Sequence, residues 1–416
     1  MLRSDDLERV SSRVRGMRIS PTVAMSVRAS TLKAAGRDII SLALGELDFD
    51  TPGRVIEAAH RAALGGMTRY TPPDGVAGLK AAIRAKLQRD SKLSFEQNEI
   101  HVASGAKQVI HNALAATLDP GDEVIIFSPY WVSYSDLVEF CGGRVVVVPT
   151  EAADGFLPDP HRLADAITPR TRWILLNSPN NPTGAIYSRE LINQLARVIE
   201  PYSSALVMSD EIYEHLAFDG RRHVSFVEAF PDLRERTLTI NGVSKSYAMT
   251  GWRIGYAAGP SWLIGAMAKV QSQTAGNSCS IAQAAAEEAL AGDQTLVPQW
   301  RDILETRRDR VTEMLSRSTW LKVSGASGAF YVFCDVSRCL GATTPGGKVL
   351  GTDMEVADFL LDVAGVATVA GEAFGTSPFI RISFALDIER LEAACSRIVA
   401  TLDTLSPAPR FAEIGS

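Results

Sequence analysis

The feature that most constrains the fold of this chain is a regular alternation of short apolar runs with segments of helical periodicity, starting near residue 100. The apolar runs lie at 100–103, 124–127, 144–148, 173–176, 205–208 and 237–240. Apolar strands that alternate with helices are typical of a mostly parallel sheet covered on both faces. Such sheets bind ligands at the carboxyl ends of their strands. We therefore predict an α/β fold with a ligand site at that edge of the sheet.

The regions on either side of this alternation predict further elements. A short apolar run at 39–44 lies between a helical pattern that ends near residue 36 and a helix that begins near residue 54. After a charged helix at 305–315, apolar runs at 329–333 and 379–384 flank a helix around 354–361. This order predicts a second, βαβ-like region.

The composition restricts the kind of partner that the chain can bind. Its 416 residues are 46% hydrophobic and carry a formal net charge of -6, without a block of basic residues. That balance argues against nucleic acid or an anionic membrane as the main partner, and no apolar run approaches the roughly 20 residues of a membrane helix. The charged N-terminus lacks the apolar core of a signal peptide, and the cysteines and histidines show no metal-binding spacing. We expect a cytoplasmic protein with small-molecule ligands and no metal.

The segment 241–255 indicates a specific chemistry. Lys245 lies in a loop of small residues after the run 237–240, and Arg253 follows eight residues later. A lysine held out of water or close to other cations loses its proton more easily, and the free amine can attack a carbonyl. The arginine stays charged and binds anions. A Schiff-base lysine beside a phosphate-binding arginine is what a pyridoxal phosphate site requires.

Other strand ends carry residues that suit the same ligand, and each has a structural alternative. Residues 104–107 open a helix whose N–H groups can hold an anion, or they form a small-residue packing turn. Trp131 can stack on a planar ring, or it belongs to the core. Asn181, in the polar string 177–184, can donate to a phenolate-like oxygen, or it serves a turn.

Charged residues follow or interrupt two further apolar runs. Asp210 needs a cationic partner, such as a protonated pyridine nitrogen, unless it caps a helix. Tyr213 can reach the other side of that ring, whereas we expect Glu211 to be a solvated or capping residue. Arg381 lies on an otherwise apolar strand, where a guanidinium is costly unless it meets a carboxylate. That acid is either structural or the substrate's, and we favour the substrate.

Taken together, these strings resemble the fold-type I pyridoxal phosphate aminotransferases, in the branch that contains the prokaryotic aspartate aminotransferases. The likeness runs from about residue 18 to residue 404. The matching motifs are Gly45-Glu-x-Asp-Phe-Asp-Thr-Pro52, Ser128-Pro-Tyr-Trp-Val-Ser-Tyr134, the string 177–184, Asp210-Glu-Ile-Tyr213 and Ser244-Lys-x6-Trp-Arg-Ile-Gly255.

The resemblance implies a large domain with a mostly parallel seven-stranded sheet covered by helices, and a smaller α+β domain. We accordingly expect an N-terminal arm and part of the small domain at 1–54. The large cofactor-binding domain would span 55–304, and the C-terminal small domain 305–416.

The resemblance also implies roles toward the cofactor ring. Lys245 resembles the Schiff-base lysine, which also carries a proton between the amino acid and the cofactor. Asp210 would keep the pyridine nitrogen protonated. Asn181 and Tyr213 would bond the ring oxygen O3′, and Trp131 would stack on the ring.

A second group matches the phosphate region of the family, and it consists of Gly105, Ala106, Lys107 and Arg253. Tyr70 matches a tyrosine that reaches the phosphate of the neighbouring subunit. The resemblance therefore implies a homodimer with active sites at the subunit interface.

A third group would bind the substrate. Arg381 matches the clamp on the α-carboxylate, and Gly45 leaves it backbone room, while Trp131 and Asn181 also face the substrate. Lys107 lies where this branch places a lysine for the distal carboxylate of acidic substrates. The segment with Ser20 and Thr22 resembles the one that closes over that carboxylate. We expect ping-pong transamination between an L-amino acid, first of all L-aspartate, and 2-oxoglutarate.

Two departures from the family pattern leave questions open. Leu47 stands where the familiar loop has proline. Gly242 stands where many relatives carry a phosphate-binding serine, so Ser244 or Ser246 would replace it.

Three other functions compete with aspartate transamination. One is a prephenate, aromatic or specialised biosynthetic aminotransferase, and another is a lyase of the same fold. The third, a non-catalytic cofactor-sensing regulator, needs a DNA-binding module, for which the segment before Gly45 leaves too little room.

Overall fold

The computed structural model describes residues 9–17 and 20–407. Residues 1–8, 18, 19 and 408–416 of the expected domains lie outside the described residues. The strands in the described part are β1 (Ile40–Ser41), β2 (Ile100–Ala103), β3 (Glu123–Ser128), β4 (Arg144–Pro149), β5 (Thr171–Asn177), β6 (Leu206–Asp210), β7 (Thr237–Gly242), β8 (Gly255–Ala258), β9 (Tyr331–Asp335), β10 (Val366–Ala367), β11 (Val369–Ala370) and β12 (Phe379–Ser383).

The α-helices of the same residues are α1 (Ser12–Gly16), α2 (Pro21–Ala34), α3 (Gly53–Leu64), α4 (Ala77–Ser91), α5 (Ala106–Thr117), α6 (Ser133–Phe140), α7 (Pro160–Ala166), α8 (Arg189–Ile199), α9 (Phe226–Ala229), α10 (Ser261–Thr274), α11 (Ser280–Ala291), α12 (Leu296–Leu315), α13 (Asp353–Phe359) and α14 (Ile388–Leu402). None of these described helices combines the length and the apolar character that crossing a bilayer requires.

Seven strands form one sheet in the order β2-β8-β7-β6-β5-β3-β4. Within it β8 runs antiparallel to both neighbours, and the other pairs are parallel. The prediction of a mostly parallel seven-stranded sheet is confirmed, and all six predicted runs are strands. Strand β8 was not predicted, because its sequence Gly-Tyr-Ala-Ala carries little apolar bulk.

Helices cover both faces of this sheet, because successive residues of a strand point to opposite sides. On β3, Val124 and Ile126 pack with Trp173 of β5 in one buried cluster, to which α5 and α10 contribute. Ile125 and Phe127 pack in a second cluster on the other face, beneath α7 and α8. Burial on two faces explains why the strands read as continuous apolar runs.

A smaller unit combines two further sheets with helices. Strands β11, β12 and β9 form an antiparallel sheet, and β1 pairs with β10 in parallel. The predicted α+β character is confirmed. The βαβ-like arrangement is wrong, because β9 and β12 pair directly in antiparallel orientation. The expected domain boundaries at residues 54 and 304 stay a prediction, and residue 304 lies inside α12.

The predicted ligand loops meet at one edge of the seven-stranded sheet. The loop 243–254 leaves β7 and returns through β8 at that same edge, because β8 reverses the chain direction. Gly255 then lies so close to the backbone of Gly105 and Ala106 that any side-chain carbon would overlap it. The reversed strand therefore places the Lys245 loop beside the start of α5.

Candidate active site

A cavity of about 330 Å³ opens at this edge of the sheet. Among the residues that line it are ten of the predicted site residues, namely Gly45, Ala106, Lys107, Trp131, Asn181, Asp210, Tyr213, Lys245, Arg253 and Arg381. Ser20, Thr22 and Ser244 line it as well, whereas Ser246 does not. Gly105 lies next to the lining, and Tyr70 stands apart from it with 97% of its surface exposed.

Lys245 follows β7 and points its amine into the cavity. The amine donates to the Gly45 carbonyl oxygen at 2.5 Å and lies 5.9 Å from the Tyr213 ring centroid. Burial, reinforced by Arg381 and Arg253, lowers the pKa of the Lys245 amine to about 8. Exclusion of water and neighbouring cations thus lower the pKa, as the sequence suggested. The amine is therefore poised to be a nucleophile near neutral pH.

Asp210 ends β6 at the base of the same cavity. Its Oδ2 accepts a hydrogen bond from the Tyr134 hydroxyl at 2.6 Å, and its Oδ1 accepts one from the Ile212 N–H at 3.3 Å. Burial raises the pKa of the Asp210 carboxyl to about 6, although both hydrogen bonds oppose this. A turn rather than a helix follows, so the helix-capping alternative is wrong. The carboxylate is available to a cationic group of a ligand.

Asn177 and Asn181 organise the polar string after β5. The Asn177 side-chain amide donates to the Asp210 carbonyl oxygen at 2.9 Å, and its own oxygen accepts the Asn181 N–H at 2.9 Å. The string therefore forms a turn and also presents the Asn181 side chain to the cavity, so the two sequence interpretations are compatible.

Arg381 lies on β12 and is 2% exposed. Its guanidinium donates to the Asn181 side-chain oxygen at 3.0 Å and to the Ala43 carbonyl oxygen, and its Nε is unpartnered in the described part of the chain. The guanidinium carbon lies 4.3 Å from the Tyr331 ring centroid and 4.9 Å from that of Phe374. These contacts are an amide, a carbonyl and two rings rather than a structural acid. The guanidinium therefore retains binding capacity for a carboxylate of a ligand.

Another cationic part of the cavity lining begins at α5. The Arg253 guanidinium lies where a side chain on Gly105 would project, and Gly105 has a φ of +90° that only glycine adopts readily. Ala106 is the first residue of the helix, so its turn presents free N–H groups. The Lys107 amine lies 5.0 Å from the Trp131 ring centroid. Burial and Arg253 lower the pKa of the Lys107 amine.

Two tyrosines of the site were not predicted, and for one acid only one of the two expected environments is found. Tyr134 lies within the 128–134 motif and Tyr331 lies on an apolar strand, so both resembled core residues. Glu211 is 2% exposed, and it accepts hydrogen bonds from the Ser225 hydroxyl and from the N–H of Phe226 at the start of α9. The expectation of a solvated Glu211 is therefore wrong, whereas a capping role agrees with its contacts.

Comparisons with known proteins agree with this geometry. A sequence model of the family described as aminotransferase class I and II matches residues 37–398. The chain is 48% identical over 403 residues to the aspartate/prephenate aminotransferase of Cereibacter sphaeroides, covering 97% of this chain and 99% of that protein. It is 47% identical over 396 residues to an aspartate aminotransferase of Rhizobium meliloti, covering 95% and 97%.

Solved structures show the same likeness. The crystal structure of the aspartate aminotransferase from Rhizobium meliloti superposes with a TM-score of 0.93 at 47% identity, covering 95% of this chain and 99% of that chain. The aspartate aminotransferase from Thermus thermophilus with maleate superposes with a TM-score of 0.88 at 44% identity, covering 94% and 99%.

The residues of the cavity suit pyridoxal phosphate. A buried amine of lowered pKa at Lys245 suits its aldehyde, and the Asp210 carboxylate suits its ring nitrogen. The helix start beside Arg253 suits its phosphate. Together with the family match, these features lead to one conclusion: the chain belongs to the aminotransferase class I and II family and is a pyridoxal phosphate-dependent aminotransferase.

Proposed function

We propose that this enzyme moves the amino group of L-aspartate to 2-oxoglutarate in a ping-pong reaction. The observation that carries the proposal is a pair of cations, Arg381 and Lys107, that face one cavity. Among the described residues neither forms an ion pair with a carboxylate. Aspartate and 2-oxoglutarate each bring two carboxylates, which would satisfy both cations. Maleate, which the Thermus thermophilus enzyme holds, is also a dicarboxylate.

We assign the roles of the ring-facing residues as follows. When bound, pyridoxal phosphate supplies an aldehyde for the amino group and a ring that withdraws electrons from the substrate Cα. Lys245 would hold the cofactor covalently and carry the proton to and from Cα, since its pKa near 8 suits general base catalysis. Asp210 would hold a proton at the ring nitrogen. Tyr213 and Asn181 would bond the ring oxygen, and Trp131 would stack on the ring.

The phosphate would lie at the start of α5. The N–H groups of Gly105 and Ala106 and the guanidinium of Arg253 supply its donors. We assign the missing serine contact to Ser244, because it lines the cavity and Ser246 does not.

The two substrate carboxylates would bind to different cations of the cavity. Arg381 would bind the α-carboxylate, with Gly45 beside it. Lys107 would bind the distal carboxylate beneath Ser20 and Thr22, which line the cavity from the N-terminal segment.

Replacing Lys107 tests the acidic-substrate assignment. We expect Lys107→Ala to lower kcat/KM for aspartate by about 10- to 100-fold, the worth of a charged hydrogen bond. Phenylalanine lacks the distal carboxylate, so kcat/KM for it should change by less than about threefold. Lys269→Ala removes an exposed lysine of α10 and serves as the matched control. Equal losses for both amino acids would contradict the assignment.

Prephenate is a second candidate acceptor. Relatives at 48% and 43% identity carry the name aspartate/prephenate aminotransferase. The assay is transfer from aspartate to prephenate, followed by detection of the aminated product. Absence of that product, with 2-oxoglutarate turnover intact, would contradict prephenate as an acceptor and leave the assignment of 2-oxoglutarate unchanged.

We also propose that the enzyme is a homodimer in which Tyr70 reaches the phosphate site of the partner subunit. We further propose that the enzyme is cytoplasmic. Tyr70 is 97% exposed and does not line the cavity of its own subunit. Its loop is nevertheless anchored, since Gln283 donates to the Thr71 hydroxyl at 3.1 Å and Gln271 donates to the Pro73 carbonyl oxygen. The five free cysteines support the cytoplasmic location.

Subunit mixing tests the dimer. Tyr70→Ala and Lys245→Ala subunits should each give a weak or inactive homodimer. A hybrid dimer would contain one complete site, because the Lys245→Ala subunit lends Tyr70 to the Tyr70→Ala subunit. Recovered activity after subunit exchange is the expected result. Two Lys245→Ala subunits with different tags provide the control, and no recovery would contradict the shared site.

A further inference from the structure

Tyr331 of β9 contacts three residues that the proposed function places in the site. It is 1% exposed and lies on an apolar strand of the smaller antiparallel sheet, so it resembles a core residue in sequence. Its hydroxyl contacts Tyr213, and its ring contacts Arg381. The space that its hydroxyl needs is left free by Gly45.

The hydroxyl of Tyr331 lies 3.0 Å from the hydroxyl of Tyr213. The two rings are nearly perpendicular, with centroids 6.0 Å apart. Either hydroxyl can donate in this pair. If Tyr331 donates, the proton of Tyr213 is left free for a ligand oxygen, and the first hydrogen bond strengthens the second. Tyr331 can thus fix the direction in which Tyr213 donates.

The ring of Tyr331 supports Arg381 through the sheet. In the pairing of β9 with β12, Tyr331 is opposite Ser383 and Phe333 is opposite Arg381. Tyr331 and Arg381 are therefore diagonal neighbours on one face, within reach of each other's side chains. The guanidinium carbon lies 4.3 Å from the Tyr331 ring centroid, in cation–π distance.

The hydroxyl of Tyr331 also explains the glycine at position 45. A side-chain carbon on Gly45 would overlap the Tyr331 hydroxyl oxygen, and it would lie 3.2 Å from the ring carbon that bears it. The Gly45 carbonyl oxygen meanwhile accepts the hydrogen bond of Lys245. A residue larger than glycine would therefore displace Tyr331 or the carbonyl that orients the lysine.

We propose that Tyr331 is a positioning residue that couples the cofactor-facing phenol of Tyr213 to the carboxylate-binding Arg381, and that position 45 is glycine to leave room for its hydroxyl. The inference rests on the proposed roles of Tyr213 and Arg381. It separates two functions within one side chain, since the hydroxyl serves Tyr213 and the ring serves Arg381.

Two substitutions at Tyr331 separate these functions. Tyr331→Phe removes the hydroxyl and keeps the ring, so donation to the cofactor oxygen weakens. That oxygen then becomes more basic, and the pH midpoint of the bound cofactor's absorbance should rise by about 0.5 to 1 unit, with KM for aspartate unchanged. Tyr331→Leu removes both parts, and it should also raise KM for aspartate about tenfold. Tyr256→Phe, at a buried tyrosine outside the cavity, is the matched control.

A double substitution tests the third contact. Gly45→Ala should weaken cofactor binding and activity, and Gly45→Ala with Tyr331→Phe should recover most of the loss. Coupling of this kind is non-additive, whereas two independent structural defects would multiply. Thermal unfolding of each variant identifies any that fail to fold, and Tyr331→Phe keeps the test informative if Tyr331→Leu does not fold.

An unshifted absorbance midpoint in Tyr331→Phe, or multiplied losses in the double variant, would overturn the proposal. Failure of the aspartate assignment gives a different result. The unmodified enzyme would then prefer another amino acid, while the absorbance shift and the recovery in cofactor binding would still be observed.

Discussion

Tyr134 donates its hydroxyl proton to the Asp210 carboxylate across 2.6 Å, and both residues are buried. Burial is the largest influence on each, and it raises the pKa of the Tyr134 phenol as well as that of the Asp210 carboxyl. The hydrogen bond favours the ionised form of Asp210, so it opposes the effect of burial. The Tyr134 ring also meets the Trp131 ring edge-on, with centroids 5.3 Å apart. Tyr134 therefore contacts and positions both Asp210 and Trp131, which are proposed to hold the cofactor ring.

Removal of this hydroxyl should weaken cofactor binding. Tyr134→Phe leaves Asp210 with fewer donors, so the pKa of its carboxyl rises further and its hold on a protonated ring nitrogen weakens. We expect the Kd for pyridoxal phosphate to rise about tenfold, with a parallel loss of kcat. Cofactor titration followed by absorbance measures this, with Tyr256→Phe as the control. Unchanged affinity would show that the hydrogen bond contributes only to folding.

Asp210 should reduce the stability of the cofactor-free protein. Its folded pKa of about 6 exceeds the ordinary aspartate value of 3.8, so the folded state binds a proton more tightly than the unfolded state. The protonated carboxyl therefore contributes stability that is fully present below pH 3.8 and is lost as the pH rises through 6. At pH 7, Asp210→Asn should therefore raise the free energy of unfolding by up to about 3 kcal/mol.

Urea unfolding at pH 7 and again at pH 4 measures this difference. The gain should shrink at the lower pH, and Asp232→Asn, at an exposed position, should show no gain at either. An Asp210→Asn protein less stable than the parent at pH 7 would contradict the expected cost of burying this charge.

Lys245 should set the pH dependence of cofactor uptake. Its pKa is lowered from 10.5 to about 8, first by burial and then by Arg381. Since the free amine reacts, the rate of uptake by the cofactor-free protein should rise about tenfold per pH unit below 8 and level off above it. Stopped-flow absorbance between pH 6 and 10 follows the reaction. In Arg381→Met a cation that lowers the pKa is absent, so the plateau should move to higher pH.

A buried ion pair behind the site should contribute strongly to stability. Lys86 of α4 is 1% exposed and pairs with Glu214, which also accepts the Asn241 side-chain amide at 2.7 Å. Burial lowers the pKa of the Lys86 amine, but Glu214 and Asp90 outweigh this and raise it. The amine lies beside Asp90 and Glu214, which with His215 form the only cluster of metal-ligand-type side chains among the described residues.

Lys86→Met should lower the free energy of unfolding by about 3 to 5 kcal/mol, because it leaves Glu214 buried without a cation. Lys322→Met removes an exposed lysine and should change the free energy by less than about 0.5 kcal/mol. Urea unfolding compares the two, and equal effects would mean that Lys86 is effectively solvated.

Local patterns sufficed to predict most of the framework and the position of the site. Strands buried on both faces are visible as apolar runs, and polar strings that follow them mark the carboxyl edge. The motif around Lys245 was recognisable because small residues flank this lysine and a second cation, Arg253, follows it closely. Ten residues predicted from these patterns and from the family resemblance meet in one cavity.

What the sequence could not reveal depends on contacts between distant segments. β9 and β12 pair in antiparallel orientation, and this follows from the path of the chain between them rather than from either strand's composition. The burial of Glu211 is stabilised in part by donors from another segment, the Ser225 hydroxyl and the Phe226 N–H. Tyr134 and Tyr331 carry no local sign of function, since an apolar environment suits a tyrosine equally well in a core.

The seven-stranded sheet has one edge where its parallel strands end and another where they begin, and β8 returns the chain from the first. Every predicted motif after a strand lies at the first, while the connections that enter the parallel strands, such as 119–121 and 141–143, lie at the other. A side-chain carbon on Gly142 would meet no other atom, but its φ of +88° favours glycine, so an insertion should leave this residue in place. An affinity peptide or fluorescent reporter inserted into these turns would therefore lie at the edge of the sheet opposite the active-site cavity.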